Sequence, residues 1–177
     1  SEWRQFLADH FETLPEIWFV FPTKDSDEPV LSYNDEVEEA LCFGWIDSRY
    51  KLNDGKRMQC FTPRKRNSPW TELNKERVRR LERLGLMTDA GRKVLPPMGV
   101  RSFKIDKDVE TALKSARVWT TFKSFPSLYQ RIRAYNVAFY KTRDKGMYEQ
   151  TLLHFITETK AGRMFGEWND YGRLLDY

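Results

Sequence analysis

Ala40-Leu41-Cys42-Phe43-Gly44-Trp45-Ile46-Asp47 closes one apolar pattern and opens another, and the change of period inside it decides the fold. Before it, Val37, Ala40, Leu41 and Gly44 share one helical face, with Glu36, Glu38 and Glu39 on the others; after it, from Ile46, apolar and polar residues alternate as in a strand. Gly44 is the expected left-handed stop of the helix, because glycine enters that conformation without a steric cost.

The strand that begins at Ile46 reaches Asn53-Asp54-Gly55, which calls for a hairpin. A two-residue loop at Asp54-Gly55 sets Leu52 opposite Arg57 and Tyr50 opposite Gln59. A three-residue loop with Gly55 in a bulge sets Tyr50 opposite Met58 and Ser48 opposite Cys60, and it gathers Ile46, Tyr50, Leu52, Met58 and Cys60 on one face. The second register is the one expected, with Asp47, Arg49, Lys51, Arg57 and Gln59 sharing the other face and Phe61 beside Asp47.

Upstream, Trp3, Phe6, Leu7, His10 and Phe11 recur at helical spacing and stop before Pro15. Ile17-Trp18-Phe19-Val20-Phe21 is a short apolar run bounded by prolines, read as a strand covered on both faces. Lys24 to Pro29 reads as a surface loop, and Asn34 as the cap of the helix that holds Val37. Downstream, Ser68-Pro69 is a helix start and Gly85 a stop. On that helix, counted from Trp70, Leu73, Leu81 and Leu84 lie at about 300°, 20° and 320°, with Asn74 near 40° and Arg77 near 340°. Two polar residues therefore sit inside an apolar stripe. Thr88 caps a short turn, Pro96-Pro97 breaks regular structure, and Asp106 opens a helix with Val109, Ala112, Leu113 and Ala116 in its stripe. Further helices run from Phe125-Pro126 to about Lys141 and from Tyr148 to about Lys160, and the tail, which contains Phe165, Trp168 and Tyr171, is expected to dock, although no period says how.

The expected architecture is α+β. An N-terminal module over 1–98 has a hairpin and a third strand packed on helices, a helical bundle follows over 104–162, and a tail covers 163–177. The 15% aromatic content supplies a real core for 177 residues. No run approaches the roughly 18 apolar residues of a membrane span. Ser1-Glu2-Trp3-Arg4 does not read as a secretory leader, and two cysteines make no disulfide framework, so a cytoplasmic setting is expected. Charge is uneven: residues 1–48 hold 12 acidic against 2 basic side chains, whereas residues 62–93 hold 10 basic against 4 acidic. An anionic partner or internal neutralisation by the acidic first part follows from that asymmetry.

Ala40 to Asp47, Phe61-Thr62-Pro63-Arg64, Ser68-Pro69-Trp70, Asn74 and Gly85-Leu86-Met87 occur in an order and at a spacing that resemble the YdeI or OmpD-associated, bacteriocin-protection family. The resemblance is closest over 35–91 and looser over 104–162. Ser48 stands where that family usually has glycine. The resemblance implies a bacterial stress-response protein, linked to tolerance of bacteriocins and other envelope-active peptides, with an outer-membrane porin as a named associate. It implies no defined reaction.

The residues themselves favour binding over catalysis. The chain has no P-loop, no Gly-x-Gly-x-x-Gly fingerprint, no nucleophile with a neighbouring base in the motif block, and no close metal-ligand spacing, so no catalytic residue, cofactor or metal is assigned. The expected function is non-catalytic recognition of a small anionic ligand or peptide by Trp45, Asp47, Arg49, Arg64, Trp70, Asn74 and Arg77. Nucleic acid on the basic 64–83 region is the alternative, and an enzyme using Asp47 with Arg64 and Arg77 a further one. The same residues also suit a buried network, with Asp47 and Arg77 as its charge pair.

Overall fold

Three strands, β1 (Ile17–Val20), β2 (Trp45–Asn53) and β3 (Lys56–Pro63), form an antiparallel sheet in the order β1-β3-β2 in the computed structural model, which describes residues 1–21 and 31–177. The loop expected over 24–29 lies outside the described residues. The fold is α+β, as the change of period at Gly44 requires.

The hairpin takes the shorter of the two loops. Asn53 pairs with Lys56, Leu52 with Arg57 and Tyr50 with Gln59, so the loop is Asp54-Gly55 alone. Both loop residues have positive φ, 48° and 75°, the geometry whose twist matches paired strands. The turn preference of Asp-Gly outweighs the gathering of apolar residues that favoured the longer loop. A shift of register between Asp47 and Arg49 then leaves Ser48 bulged and brings Asp47 opposite Phe61. Tyr50 and Leu52 consequently stay 60% and 64% exposed.

Four helices complete the first compact unit, which comprises residues 1–69 and 77–96. They are α1 (Glu2–His10), α2 (Tyr33–Cys42), α4 (Asp89–Lys93) and most of α3 (Glu72–Arg83). Trp3 packs its ring against Phe19 and Phe61 at 5.5 and 5.3 Å between centroids, fastening α1 to the sheet. β1 is half-buried rather than covered on both faces, since it is an edge strand. Ser32, not Asn34, caps α2: its hydroxyl accepts from the Asp35 amide at 3.2 Å. α3 begins at Glu72 rather than at Ser68-Pro69, because Ser68 closes a turn onto the Lys65 carbonyl and Thr71 receives the Asn74 amide at 3.0 Å. Gly44 has φ of 76° and ends the turn after α2. The Thr88 hydroxyl both donates to the Cys42 carbonyl at 2.6 Å and accepts the Gly91 amide at 3.3 Å, so one side chain caps α4 and ties down the end of α2.

Residues 70–76 and 97–177 form the second compact unit. It contains α5 (Lys107–Ser115), α6 (Trp119–Ser124), α7 (Ser127–Tyr140) and α8 (Lys145–Lys160). Asp106 caps α5 through the Asp108 and Val109 amides. The helix α6 lies between the helices expected from Asp106 and from Phe125-Pro126, and Phe122 on it is fully buried. The core is aromatic: Phe122 meets Phe155 edge-on at 5.6 Å, and Tyr129 meets Trp168 edge-on at the same distance. Trp168 and Leu174 carry the tail into this core, where burying such side chains gives roughly 1.5–3 kcal/mol each.

Candidate functional site

In the first unit, Trp45 and Arg64 meet where the β2–β3 ladder ends. Trp45 pairs with Pro63, and the Arg64 amide donates to the Gly44 carbonyl at 2.8 Å. The indole of Trp45 is buried and donates to the Phe11 carbonyl at 3.3 Å. The Arg64 guanidinium is buried too, donating to the Pro69 carbonyl at 3.0 Å and to the Ser68 hydroxyl at 3.3 Å. These contacts make the pair a structural brace at the hairpin root.

Asp47 and Arg77 are bridged by adjacent residues of α2 rather than by a bond to each other. The Tyr33 hydroxyl donates to Asp47 at 2.6 Å, and Arg77 donates to the Asn34 amide oxygen at 3.0 Å. Burial, followed by the Asp47 contact, raises the Tyr33 hydroxyl above its usual range. The use of Asn34 by Arg77 also explains why the cap of α2 falls to Ser32. Arg49 lies apart on the exposed end of the hairpin, where it contacts Glu16 and sits 5.3 Å from the Trp18 ring. Trp70 and Asn74 belong to the second unit, and both are buried. Asn74 and Arg77 are thus inside, as their place in the apolar stripe requires.

The acidic start of the chain and the basic α3 neutralise each other in part. One terminal nitrogen of Arg80 donates to both carboxylate oxygens of Glu38, at 2.9 and 3.0 Å, a charge-assisted contact. In the second unit, Arg131 lies 2.8 Å from Glu76 and 3.5 Å from Glu72, all three nearly excluded from solvent. Tyr177 donates to the other Glu76 oxygen at 2.7 Å. Glu36, expected on an outer helical face, is instead fully buried, and neither carboxylate oxygen has a hydrogen-bond partner. Burial pushes its pKa up to about 8, against the nearby Arg57 charge and with the Asp35 charge.

The concave feature with uncommitted polar groups lies in the second unit. A cavity of about 740 Å³ opens between α7 and α8, with Phe165 of the tail and Thr71 also lining it. From α7 come Arg133, Asn136 and Tyr140; from α8, Met147, Gln150 and His154. Each trio is spaced as one helical stripe. Arg133 is half-buried, its Nε has no hydrogen-bond partner, and no carboxylate pairs with it among the described residues. Its guanidinium stacks 4.7 Å from the Phe165 ring centre, and desolvation lowers its pKa. His154 meets the same ring edge-on at 4.5 Å. No aspartate or glutamate lines the space. Polar residues within a helical stripe, the signal that singled out Asn74 and Arg77, were present here as well; the apolar contact pattern of 152–156 drew attention to the other face of α8.

Among the described residues no group of three or more His, Cys, Asp or Glu side chains is arranged to hold a metal ion. Likewise no described helix is long and apolar enough to cross a membrane.

Fold and sites together define an α+β protein with a three-stranded antiparallel sheet and a separate helical unit containing a cavity. The chain belongs to the family described as a domain of unknown function, DUF8412, whose model matches residues 1–94. No curated protein and no solved structure matches it. The family match overturns the resemblance to the YdeI or OmpD-associated family. The stretches behind that resemblance, a glycine stop, a Ser-Pro turn and a buried tryptophan, meet general needs of chain reversal and core packing and do not specify one family. Bacteriocin protection, stress response and a porin associate rested on the resemblance and fall with it.

Proposed function

We propose that the protein binds a small organic anion, and that the binding site is the α7–α8 cavity rather than the hairpin root. The observation that carries this reading is Arg133: a half-buried guanidinium that makes no ion pair among the described residues, with only the Glu167 charge in its neighbourhood, facing a space of ligand size. An ionised group held away from water and left unpaired is costly, and an anion entering the cavity would supply the missing partner. Aromatic and aliphatic walls with a few convergent polar groups suit a small-molecule site. The first-choice arginines fit a ligand less well, because Arg64 and Arg77 are buried and engaged by Pro69, Ser68 and Asn34. The nucleic-acid reading of 64–83 is weakened by the same contacts, together with those of Lys75 to Glu72 and Arg80 to Glu38. An enzymatic role for Asp47 gains no support from its hydrogen bond to Tyr33.

The test is a fluorescence titration with 1-anilinonaphthalene-8-sulfonate, an aromatic anion, on the whole chain and on Arg133→Gln. Saturable binding that weakens at least tenfold in the variant, with the thermal transition retained, supports the proposal. Equal binding by both proteins, or no saturable binding, overturns it.

A further inference from the structure

The cavity is polarised along its length, and its two ends differ in a way that names the ligand class. At one end Arg133 and His154 both touch the Phe165 ring, so these residues of α7 and α8 stand at the same level. At the other end are Tyr140, the last residue of α7, and Met147, in the first turn of α8. The short connection between the helices makes them antiparallel neighbours. Seven residues of α-helix separate Arg133 from Tyr140, a rise of about 10 Å.

Charge falls off along that distance. The far end holds the C-terminus of α7 and the N-terminus of α8, whose dipoles are opposite and offset each other, and Asp144 caps α8 there by accepting the Met147 amide at 2.9 Å. Of the neighbouring cations, Lys141 pairs with Asp106 and Asp108 and Arg143 turns onto the Phe139 carbonyl and ring, and neither lines the cavity. Thr151, midway, donates its hydroxyl to the carbonyls of its own helix. The cationic end offers one guanidinium, with none of the glycine-rich backbone or helix N-terminus by which proteins usually hold a phosphate dianion.

We infer that the ligand is an elongated monocarboxylate, its carboxylate held by Arg133 beside His154 and its apolar chain running along α7 and α8 toward Met147. This inference rests on the anion-binding reading of the same cavity and deepens it. A single planar carboxylate matches the two-pronged face of one guanidinium, and a chain of about 10 Å matches the helical span.

The experiment is displacement of the anilinonaphthalene sulfonate by butanoate, hexanoate, octanoate, decanoate and dodecanoate, with 1-octanol and octyl phosphate as comparators. Affinity is expected to rise about three- to fourfold per methylene and to level off between octanoate and dodecanoate. Octanoate should exceed both comparators at least tenfold, and Arg133→Gln should abolish its advantage over octanol. Met147→Gln should weaken decanoate about tenfold and leave butanoate unchanged. Chain-length independence, octyl phosphate binding more tightly than octanoate, or equal loss for decanoate and butanoate in Met147→Gln overturns the inference. If the probe itself binds without dependence on Arg133, the anion-binding reading fails; if it depends on Arg133 while the chain-length series is flat, only the monocarboxylate assignment fails.

Discussion

Arg133 and Phe165 stack with 4.7 Å between guanidinium carbon and ring centre, and this contact stands where a salt bridge would be expected. A cation over an aromatic ring gains about 0.5–2 kcal/mol, more as water is excluded. Phe165→Leu keeps apolar bulk but removes the ring quadrupole. It is expected to lower stability by about 1 kcal/mol and to loosen Arg133, so that probe affinity falls as well. Urea denaturation and the same fluorescence titration read both effects; a variant unchanged in both would show that the ring contributes only bulk.

Gly166 fixes how close the tail comes to that guanidinium. Its φ is 67°, and a Cβ there would run into the Arg133 terminal nitrogens. Gly166→Ala therefore carries two costs, the left-handed backbone at roughly 1–2 kcal/mol and the displacement of Arg133. A double-mutant cycle separates them: in an Arg133→Ala background the Gly166→Ala cost should shrink to the backbone part alone. Equal costs in both backgrounds would mean that the side chain moves aside freely.

Arg131 neutralises Glu72 and Glu76 together. Arg131→Met leaves two nearly buried carboxylates four residues apart on α3 without it, although Lys75 still meets Glu72 and Tyr177 still meets Glu76. Breaking a buried pair of this kind typically costs about 3–5 kcal/mol. Chemical denaturation at neutral pH is expected to show a loss in that range, with part of it regained when Glu76→Gln is added. No recovery in the double variant would point to lost packing rather than uncompensated charge.

Glu36 gives the fold a pH dependence of definite sign. Its folded pKa, about 8, lies above the 4.5 of an unperturbed glutamate. Between those values the unfolded chain releases the proton while the folded chain keeps it, so stability falls as pH rises through that window and levels off above it. Glu36→Gln removes the titration but retains the shape. The variant should gain roughly 2–5 kcal/mol relative to the parent protein at pH 8.5 and little at pH 4.5. Thermal or urea unfolding at both values decides it, and a pH-independent difference would show that Glu36 is ionised within the fold.

Much of the fold was legible because it rests on local signals. Gly44, Gly85, Thr88 and Asp106 stop or cap helices through their own backbone and side-chain chemistry, which a sequence displays directly. Long-range partners were not legible. Asn34 has the local chemistry of a cap, directly before Asp35 and Glu36, whereas nothing local shows its use by Arg77, 43 residues away. Glu36 looked solvated for the same reason: its face is polar in sequence, and Trp3 packs over the start of α2, donating to the Glu36 carbonyl from α1. The cavity escaped notice because it needs two stripes from different helices and a tail residue, and no single stripe is exceptional. Arg64 stands out by its motif surroundings and Arg77 by its place in an apolar stripe, yet in the structure Ser68, Pro69 and Asn34 already engage their terminal nitrogens.

The hairpin loop is where a local rule and a global pattern disagreed, and a substitution series at Asp54 distinguishes the two loops. In the two-residue loop Asp54 has positive φ, so a residue with a Cβ and no compensating polar group is strained there, whereas glycine or asparagine is not. In the three-residue loop the left-handed position belongs to Gly55, and Asp54 would tolerate alanine. The structure therefore predicts that Asp54→Ala costs about 1 kcal/mol, that Asp54→Gly is nearly neutral, and that Asp54→Asn equals or exceeds the parent protein. Gly55→Ala should cost at least as much as Asp54→Ala, because its φ of 75° is also left-handed. The costs should register in thermal unfolding of the first unit and in amide exchange of the ladder from Tyr50 to Gln59. If Asp54→Ala is neutral while Gly55→Ala is costly, the longer loop forms in solution, Tyr50 moves opposite Met58, and the exposure of Tyr50 and Leu52 is lost with the register that produces it.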